Sequence, residues 1–227
     1  MPSPELSART IPGLHEFLMG VLPRPPRPSA RAIDLGAGSG ALAVRLQASG
    51  WDVCAADLDR ESFAADVPFT QLDLNEPTLG LPEHAFDLVT AVEVIEHVEA
   101  PIAFLREVAY LLTPAGVAVI TTPNVDSLPA RLKFLLKGKV RQLDEWGDPT
   151  HISPIFLDLL HRQYLPAAGL RLVDHAYYPP EGFLTGRPSY RPVLRALRPI
   201  LRPPLLGDIH VFTLALGEGS EVGSGRR

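Results

Sequence analysis

Two hydrophobic rhythms alternate along this chain, and their order predicts its layers. Residues 10–22 place Ile11, Leu14, Phe17, Leu18, Val21 and Leu22 at helical spacing, which predicts a short leading helix. The proline cluster PRPPRP (Pro23–Pro28) follows as a stiff linker. ARAIDLG then reads as a buried strand, and SGALAVRLQASG as a helix stopped by Gly50. WDVCAAD predicts a second strand, FTQLDL a third and AFDLVTAV a fourth. APIAFLREVAYLLTPAG predicts a helix ended by Pro114 and Gly116, with a fifth strand in VAVITTP. Strands alternating with helices imply a mostly parallel sheet covered on both faces.

After Pro123 the rhythm loosens. SLPARLKFLLKG and SPIFLDLLHRQYLPAAG predict helices within a long connection, residues 124–168. LRLVDHAYY and IHVFTLAL alternate like strands and predict an antiparallel pair at the sheet's edge. The expected organisation is a helix and linker over 1–29 and one domain over 30–216. Within that domain 179–207 forms a Pro/Arg-rich insertion, and 217–227 is a disordered tail.

Composition narrows the function classes. At 227 residues with 46% apolar content, the chain can fill the core of one α/β domain. A formal charge of −5 argues against general attraction to long nucleic acid. The single cysteine, Cys54, permits no intramolecular disulfide and suits a reducing compartment. No charged-then-apolar leader and no apolar run near ~20 residues is present, so a soluble, cytoplasmic protein without a transmembrane segment is expected. The oligomeric state is open.

The chemistry concentrates in IDLGAGSGALA, where Gly36, Gly38 and Gly40 lie between a strand and a helix. Glycines there let the chain turn tightly and let a ligand approach the backbone, while the helix start offers unpaired N–H groups. Gly36-x-Gly38-x-x-Ala41 with Asp57 about 20 residues beyond also satisfies the loose dinucleotide fingerprint, so a nicotinamide-dependent oxidoreductase stays open.

DLGAGSG, with Asp34 two residues before the first glycine, resembles motif I of the class I S-adenosylmethionine-dependent methyltransferases. The resemblance continues in order through AADLD, QLDLNE, FDLVTAVEVIEHVEAP, FLREVAYLLTPAG and VITTPN. Ala115 departs from it, since the family usually has a glycine there. Among subgroups, the small-molecule enzymes that include the ubiquinone-biosynthesis O-methyltransferases are the most similar. The resemblance implies a seven-stranded, mostly parallel Rossmann-like sheet with one antiparallel edge strand, S-adenosyl-L-methionine as cofactor and a small-molecule acceptor, most often methylated at oxygen. It also implies roles. Gly36, Ala37, Gly38 and Gly40 would form the cofactor loop, with Asp34 near the ammonium. Asp57 would accept the ribose hydroxyls, Leu58 would pack on the adenine, and Asp73 would receive the adenine amino group beside Leu74. For Asp73 a turn-capping role competes.

The acceptor side is less defined. AVEVIEHVEA (Ala91–Ala100) follows the fourth strand, and on a helix Glu93, Glu96 and His97 would share a face. With the later His151, this set suits a divalent ion and resembles the E-x-x-E-H run of the magnesium-dependent 2′-O-methyltransferases of RNA ends. Alternatively His97 or His151 moves a proton with Glu96 as its orienter, or the acids simply support a helix start. The acidic balance and the lack of an evident RNA-binding module weigh against the ion. The expected site therefore has His97 and His151 as catalytic residues, Glu93 bordering the cofactor, and no resident metal. Asn124 after the fifth strand is a further candidate. Trp146 and Tyr164 are candidates for the pocket lining or for ordinary packing. His15, His84, His161, His175 and His210 have no partners at ligand spacing and are expected to be incidental. Arginines at 187, 191, 195, 198 and 202 mark an amphipathic surface or a solvated helix face. A non-catalytic binding module of the same fold is the remaining alternative.

Overall fold

The computed structural model describes residues 6–180, 182–183 and 204–217. Seven strands form one sheet in the order β3-β2-β1-β4-β5-β7-β6. They are β1 (Arg31–Leu35), β2 (Asp52–Asp57), β3 (Phe69–Gln71), β4 (Phe86–Val92), β5 (Leu112–Pro123), β6 (Leu170–Tyr178) and β7 (Ile209–Leu216). β1 pairs in parallel with both β2 and β4, and β4 with β5. Successive side chains of each strand feed opposite cores, which explains their uninterrupted apolar runs. From β1, Ile33 and Leu35 enter the layer under α3 (Pro101–Leu111), while Ala32 enters the layer under α1 (Leu14–Val21) and α2 (Ala41–Ala48). The expected α/β, doubly wound, mostly parallel sheet is the architecture found. Its one antiparallel strand, β7, runs between β5 and β6, so β6 forms the border at that end.

Three local expectations change. The helix expected to run to Pro114 stops at Leu111, because Leu112 pairs with Phe86 and begins β5. The register then jumps to Leu88 opposite Val117, a bulge that accommodates Pro114, which has no N–H to offer a ladder. β3 ends at Gln71 rather than running through LDL, since Asp73 turns the chain by accepting from the Asn75 amide. His175 and His210 are not incidental. They face each other across β6 and β7 with His175 Nε2 3.0 Å from His210 Nδ1, and the Tyr177 hydroxyl lies 3.3 Å from His175 Nδ1. Burial drives the His175 pKa down to about 4 and that of His210 to about 3, so the pair is neutral.

Beyond β5, Ser127 caps α4 (Leu128–Lys137) by accepting from the Ala130 amide. α5 (Leu157–Leu159), a π-helical turn (Leu160–Tyr164) and α6 (Leu165–Ala167) run on as one helical stretch. Of the 179–207 insertion, residues 184–203 with the arginine series lie outside the described residues, as does the tail from 218.

The segment set apart as a leading helix and linker is built into the domain. Leu14 and Leu18 are fully buried against Leu42, Leu46 and Val211. The proline-rich stretch is held at its end by Asp87, whose carboxylate accepts from Arg27 Nη1 at 2.8 Å and from the Arg31 amide at 3.0 Å. Leu18→Ala is therefore expected to cost about 2–5 kcal/mol, as for a core leucine. Urea unfolding measures it, and an unchanged midpoint would make α1 an appendage.

Candidate active site

The carboxyl ends of β1, β2 and β4 converge on one cavity of about 680 Å³. Its floor is the turn between β1 and α2. The Gly36 and Ala37 amides both donate to the Ala56 carbonyl, at 2.8 and 3.1 Å, which fastens this turn to the end of β2. Gly36 has φ 68°, and a Cβ on it would lie 2.4 Å from Val94 Cγ2, so backbone conformation and space both demand glycine. The Gly38 amide donates to Asp57 Oδ2 at 2.7 Å, while Asp57 Oδ1 accepts from the Asp59 amide at 2.9 Å. Where a side chain of Gly38 would start, no atom of the described residues beyond its two chain neighbours lies within 4 Å. The backbone there is open to a ligand.

Most of the predicted residues meet on this wall. Asp34, Gly36, Ala37 and Gly38 line it from the β1 turn, Asp57 and Leu58 from β2, Asp73 and Leu74 after β3, Glu93 and His97 after β4, and His151 from the connection after α4. Leu58, an apolar side chain on the cavity lining, is 61% exposed. Asp73 keeps its turn-capping bonds and lines the cavity too, so the two readings of it are compatible. Gly40 does not line the cavity. A Cβ there would meet Ala65 Cβ at 2.4 Å and Phe63 Cε2 at 2.8 Å, so it serves the close approach of α2 to residues 63–65. Asn124 is also elsewhere, buried and donating from Nδ2 to the Pro204 and Leu206 carbonyls. Trp146 is 83% exposed and Tyr164 packs on the core.

Sequence reasoning missed the segment from Ser7 to Ile11, which crosses the cavity. Ser7 fixes it there, its amide donating to Ser39 Oγ at 3.1 Å and its carbonyl accepting from Ser39 Oγ at 2.8 Å. His15 reaches the same wall from α1, its buried Nδ1 without a partner among the described residues. Gln142 and Asp148 line it from the connection after α4. These contacts join residues remote in sequence, and no local pattern announces them.

The trio after β4 differs from its helical expectation. Glu93 takes φ 53°, and its amide donates to Thr121 Oγ1 at 2.9 Å, which ends any helix before it starts. Glu93 points to the cavity wall, while Glu96 and His97 ride a 3-10 turn (Ile95–His97). Glu96 turns inward, 1% exposed, with neither carboxylate oxygen partnered by a described residue. The Glu96 carbonyl accepts from the Ile152 and Ser153 amides, both at 2.9 Å, and this brings His151 alongside. Ligand atoms of Glu96, His97 and His151 all lie within 4.8 Å of one another, and His151 Nε2 is 3.9 Å from Glu96 Oε1. The imidazole tautomers follow from their partners. His151 Nδ1 faces the Gln142 carbonyl at 3.0 Å, which can only accept. His97 Nδ1 faces Thr150 Oγ1 at 2.9 Å, and that hydroxyl donates onward to Asp148. Both rings thus carry the proton on Nδ1 and leave the Nε2 lone pair free.

Residues 8–175 match the methyltransferase domain family. The chain belongs to that family. Among curated relatives, the ubiquinone biosynthesis O-methyltransferase of Psychrobacter cryohalolentis is 35% identical over 144 residues, 56% of this chain and 55% of the relative. That of Bradyrhizobium diazoefficiens is 29% identical over 143 residues, 56% of each. The chain thus spans about half the length of the curated relatives it matches. Among solved structures, an S-adenosylmethionine-dependent methyltransferase from Archaeoglobus fulgidus superposes with a TM-score of 0.64 at 19% identity, over 88% of this chain and 92% of that one. The [4+2]-cyclase SpnF does so with 0.59 at 18%, over 89% and 81%. At such identities the likeness is one of fold.

S-Adenosylmethionine is the cofactor of this methyltransferase family, and the wall fits it. The open backbone at Gly38, the carboxylate of Asp57 and the uncovered Leu58 offer, in order, a close approach, a bidentate acceptor for a ribose diol and an apolar surface for a base. Replacing Asp57 by Asn removes charge-assisted acceptance, and the affinity for S-adenosylmethionine should fall about tenfold or more. Calorimetric titration reads it, and unchanged affinity would take Asp57 out of the ribose site.

Buried carboxyls set a pH dependence. Burial raises Asp34 to about 7, against the Thr90 hydroxyl that donates to it at 2.7 Å. Burial also raises Glu93 to about 7 and Glu96 to about 8. The folded protein holds these protons where the unfolded chain has lost them, so their stabilisation is complete in acid and disappears as pH rises through 7 and 8. Below about 6.5 the neutral histidines act in the opposite sense. The thermal midpoint of the unliganded protein should fall from pH about 6.5 to about 8.5, with a shallower fall in Glu96→Gln. Equal slopes would mean that Glu96 is ionised throughout.

Proposed function

We propose that this domain methylates a small-molecule acceptor at a hydroxyl oxygen, with His151 taking the proton and His97 beside it. The observation that carries the reading is the pair of free Nε2 lone pairs on the same cavity that the glycine turn lines. The names of the relatives, O-methyltransferases of ubiquinone biosynthesis, support oxygen as the nucleophile. When bound, S-adenosylmethionine supplies a methyl group on a sulfonium, already electrophilic. The chain's own residues then need to align the acceptor, keep water out and receive one proton. A cavity of about 680 Å³ is ample for a cofactor and a small acceptor together. The segment Ser7–Ile11 closes it on the side of the glycine turn. Gln142 and Asp148 are the polar groups placed to hold the acceptor. Asp148 also fixes the His97 tautomer through Thr150, an orienting role that favours proton acceptance at Nε2.

The test is His151→Ala. Turnover should fall about a hundredfold, the usual contribution of a general base, with cofactor affinity nearly unchanged. Unaltered turnover would remove His151 from the chemistry. A titration releasing heat with NAD alone would replace the whole reading by the oxidoreductase.

One arrangement favours a second reading, with a divalent ion on Glu96, His97 and His151. Two imidazoles and one carboxylate within reach of each other, each ring held by an outer carbonyl or hydroxyl, form a donor set for such an ion. Its signature is direct. Binding of manganese or magnesium to the protein without cofactor, lost in Glu96→Gln, would establish the ion. No heat with either leaves the proton-transfer reading in place.

A further inference from the structure

The tautomer of His151 hangs on the Gln142 carbonyl, 3.0 Å from Nδ1. A protonated Nδ1 can donate to that oxygen, and a bare one cannot. Without the carbonyl either ring nitrogen can carry the proton. The Nε2–H form then has no lone pair there to receive a second one.

The backbone at Gln142 is bent to make this contact. Its φ is 74°, in the left-handed region that residues with a Cβ seldom adopt. Such strain persists only where the surroundings enforce it, and here they do so from both sides. On the preceding side, Arg141 Nη2 donates to the buried Asp208 Oδ1 at 2.8 Å. Asp208 is itself fixed, its amide on the Tyr178 carbonyl and its carbonyl on the Asn124 amide. On the following side the chain turns back, with the Asp144 carbonyl accepting from the Gly147 amide at 2.8 Å. Asp144 and Glu145 tie this turn to Lys133 and Lys139.

The turn lays Gly147 flat against the Gln142 peptide. A Cβ on Gly147 would lie 2.1 Å from the Gln142 oxygen, 2.4 Å from its carbonyl carbon and 2.9 Å from its Cα. All three are backbone atoms, so no flexible side chain can give way. The oxygen that such a Cβ would strike is the one that faces His151.

We propose that Gly147 is a positioning residue: the space left by its missing Cβ lets the Gln142 carbonyl face His151 and hold the ring proton on Nδ1. Gly147 does not line the cavity, so it acts through Gln142 and His151. The use of the free Nε2, to receive the acceptor's proton, rests on the proton-transfer reading above.

The test reads the imidazole itself. A long-range proton–nitrogen correlation spectrum of the isotope-labelled full chain separates the protonated and bare nitrogens of a ring. At pH about 8.5 an ordinary imidazole is neutral. The His151 signals are those lost in His151→Asn, and in the unmodified protein they should put the proton on Nδ1. In Gly147→Ala the two nitrogen signals should shift toward each other as the tautomers mix, with affinity for S-adenosylmethionine nearly unchanged. Gln142→Gly eases the left-handed backbone, keeps the carbonyl and should retain the original signals. Gln142→Val, β-branched where φ is positive, should lose them. This second pair carries the test if Gly147→Ala does not fold. A proton on Nε2 in the unmodified protein would overturn the proposal, as would unmoved signals in Gly147→Ala or Gln142→Val. The readout needs no acceptor, so it stands or falls separately from the His151→Ala test of proton transfer.

Discussion

Two amide hydrogens, from Gly36 and Ala37, share the one carbonyl of Ala56, and the cavity is organised around that junction. It closes the β1 turn against the end of β2, so the next residue of β2, Asp57, is delivered to the Gly38 amide. Any side chain at Gly36 would push Val94 away and separate the β4 exit from the same turn. One backbone junction therefore brings together the glycine turn, the Asp57 carboxylate and the exit of β4. Parallel pairing of β1 with both neighbours makes this unavoidable, because their carboxyl ends open at the same edge.

A second backbone junction builds the opposite wall. The Glu96 carbonyl takes two amides from Ile152 and Ser153, and the Ser153 hydroxyl reaches the Val98 carbonyl at 2.7 Å. The long connection is stitched to the β4 exit by main-chain bonds, and His151 is carried beside His97, with ring centroids 4.6 Å apart. The side chain of Glu96 takes no part in the stitching. A buried carboxyl with no full hydrogen bond among the described residues is costly, and a structural role alone would be served by a smaller apolar residue. That cost makes sense where the carboxyl has work to do with a proton or an ion.

How much of this was legible from residues depends on the range of the interaction. The β1 turn was readable because its chemistry is local: an acid, three glycines and a helix start within a few positions. Asp57 was readable because a parallel β-α-β unit fixes its distance from the turn. The trio after β4 was readable in identity but not in shape, since the left-handed backbone of Glu93 depends on Thr121 in another strand. The end of α3 escaped the pattern for a similar reason: Leu112 is as good a helix residue as a strand residue, and pairing with Phe86 decides it. His175 and His210 seemed isolated at 35 positions apart and are neighbours only because β7 inserts beside β6. Likewise, nothing in residues 7–15 announces contact with the glycine turn. Tertiary contacts decide such features, and single-sequence periodicity carries no record of them.

On the proposed chemistry, Glu96 decides where a transferred proton can rest. With its carboxyl raised to about 8 by burial, it keeps its own proton at neutral pH and does not compete as a base. His97, held below the usual imidazole value by burial and by the charge of its neighbour His151, enters the reaction neutral with Nε2 free. The ring centroids lie 4.6 Å apart, so charge on His151 opposes charge on His97, and in the proposed reaction His151 is the ring that charges. Once it does, a carboxylate 3.9 Å from His151 Nε2 becomes far more favourable than a neutral carboxyl. The acceptor's proton rests on that imidazole, and the positive ring draws the neighbouring Glu96 carboxyl toward its ionised form. A divalent ion would exploit the same coupling by displacing the Glu96 proton itself. The proton-transfer and ion-binding readings thus rest on one physical fact, a buried acid kept neutral until a positive charge arrives beside it.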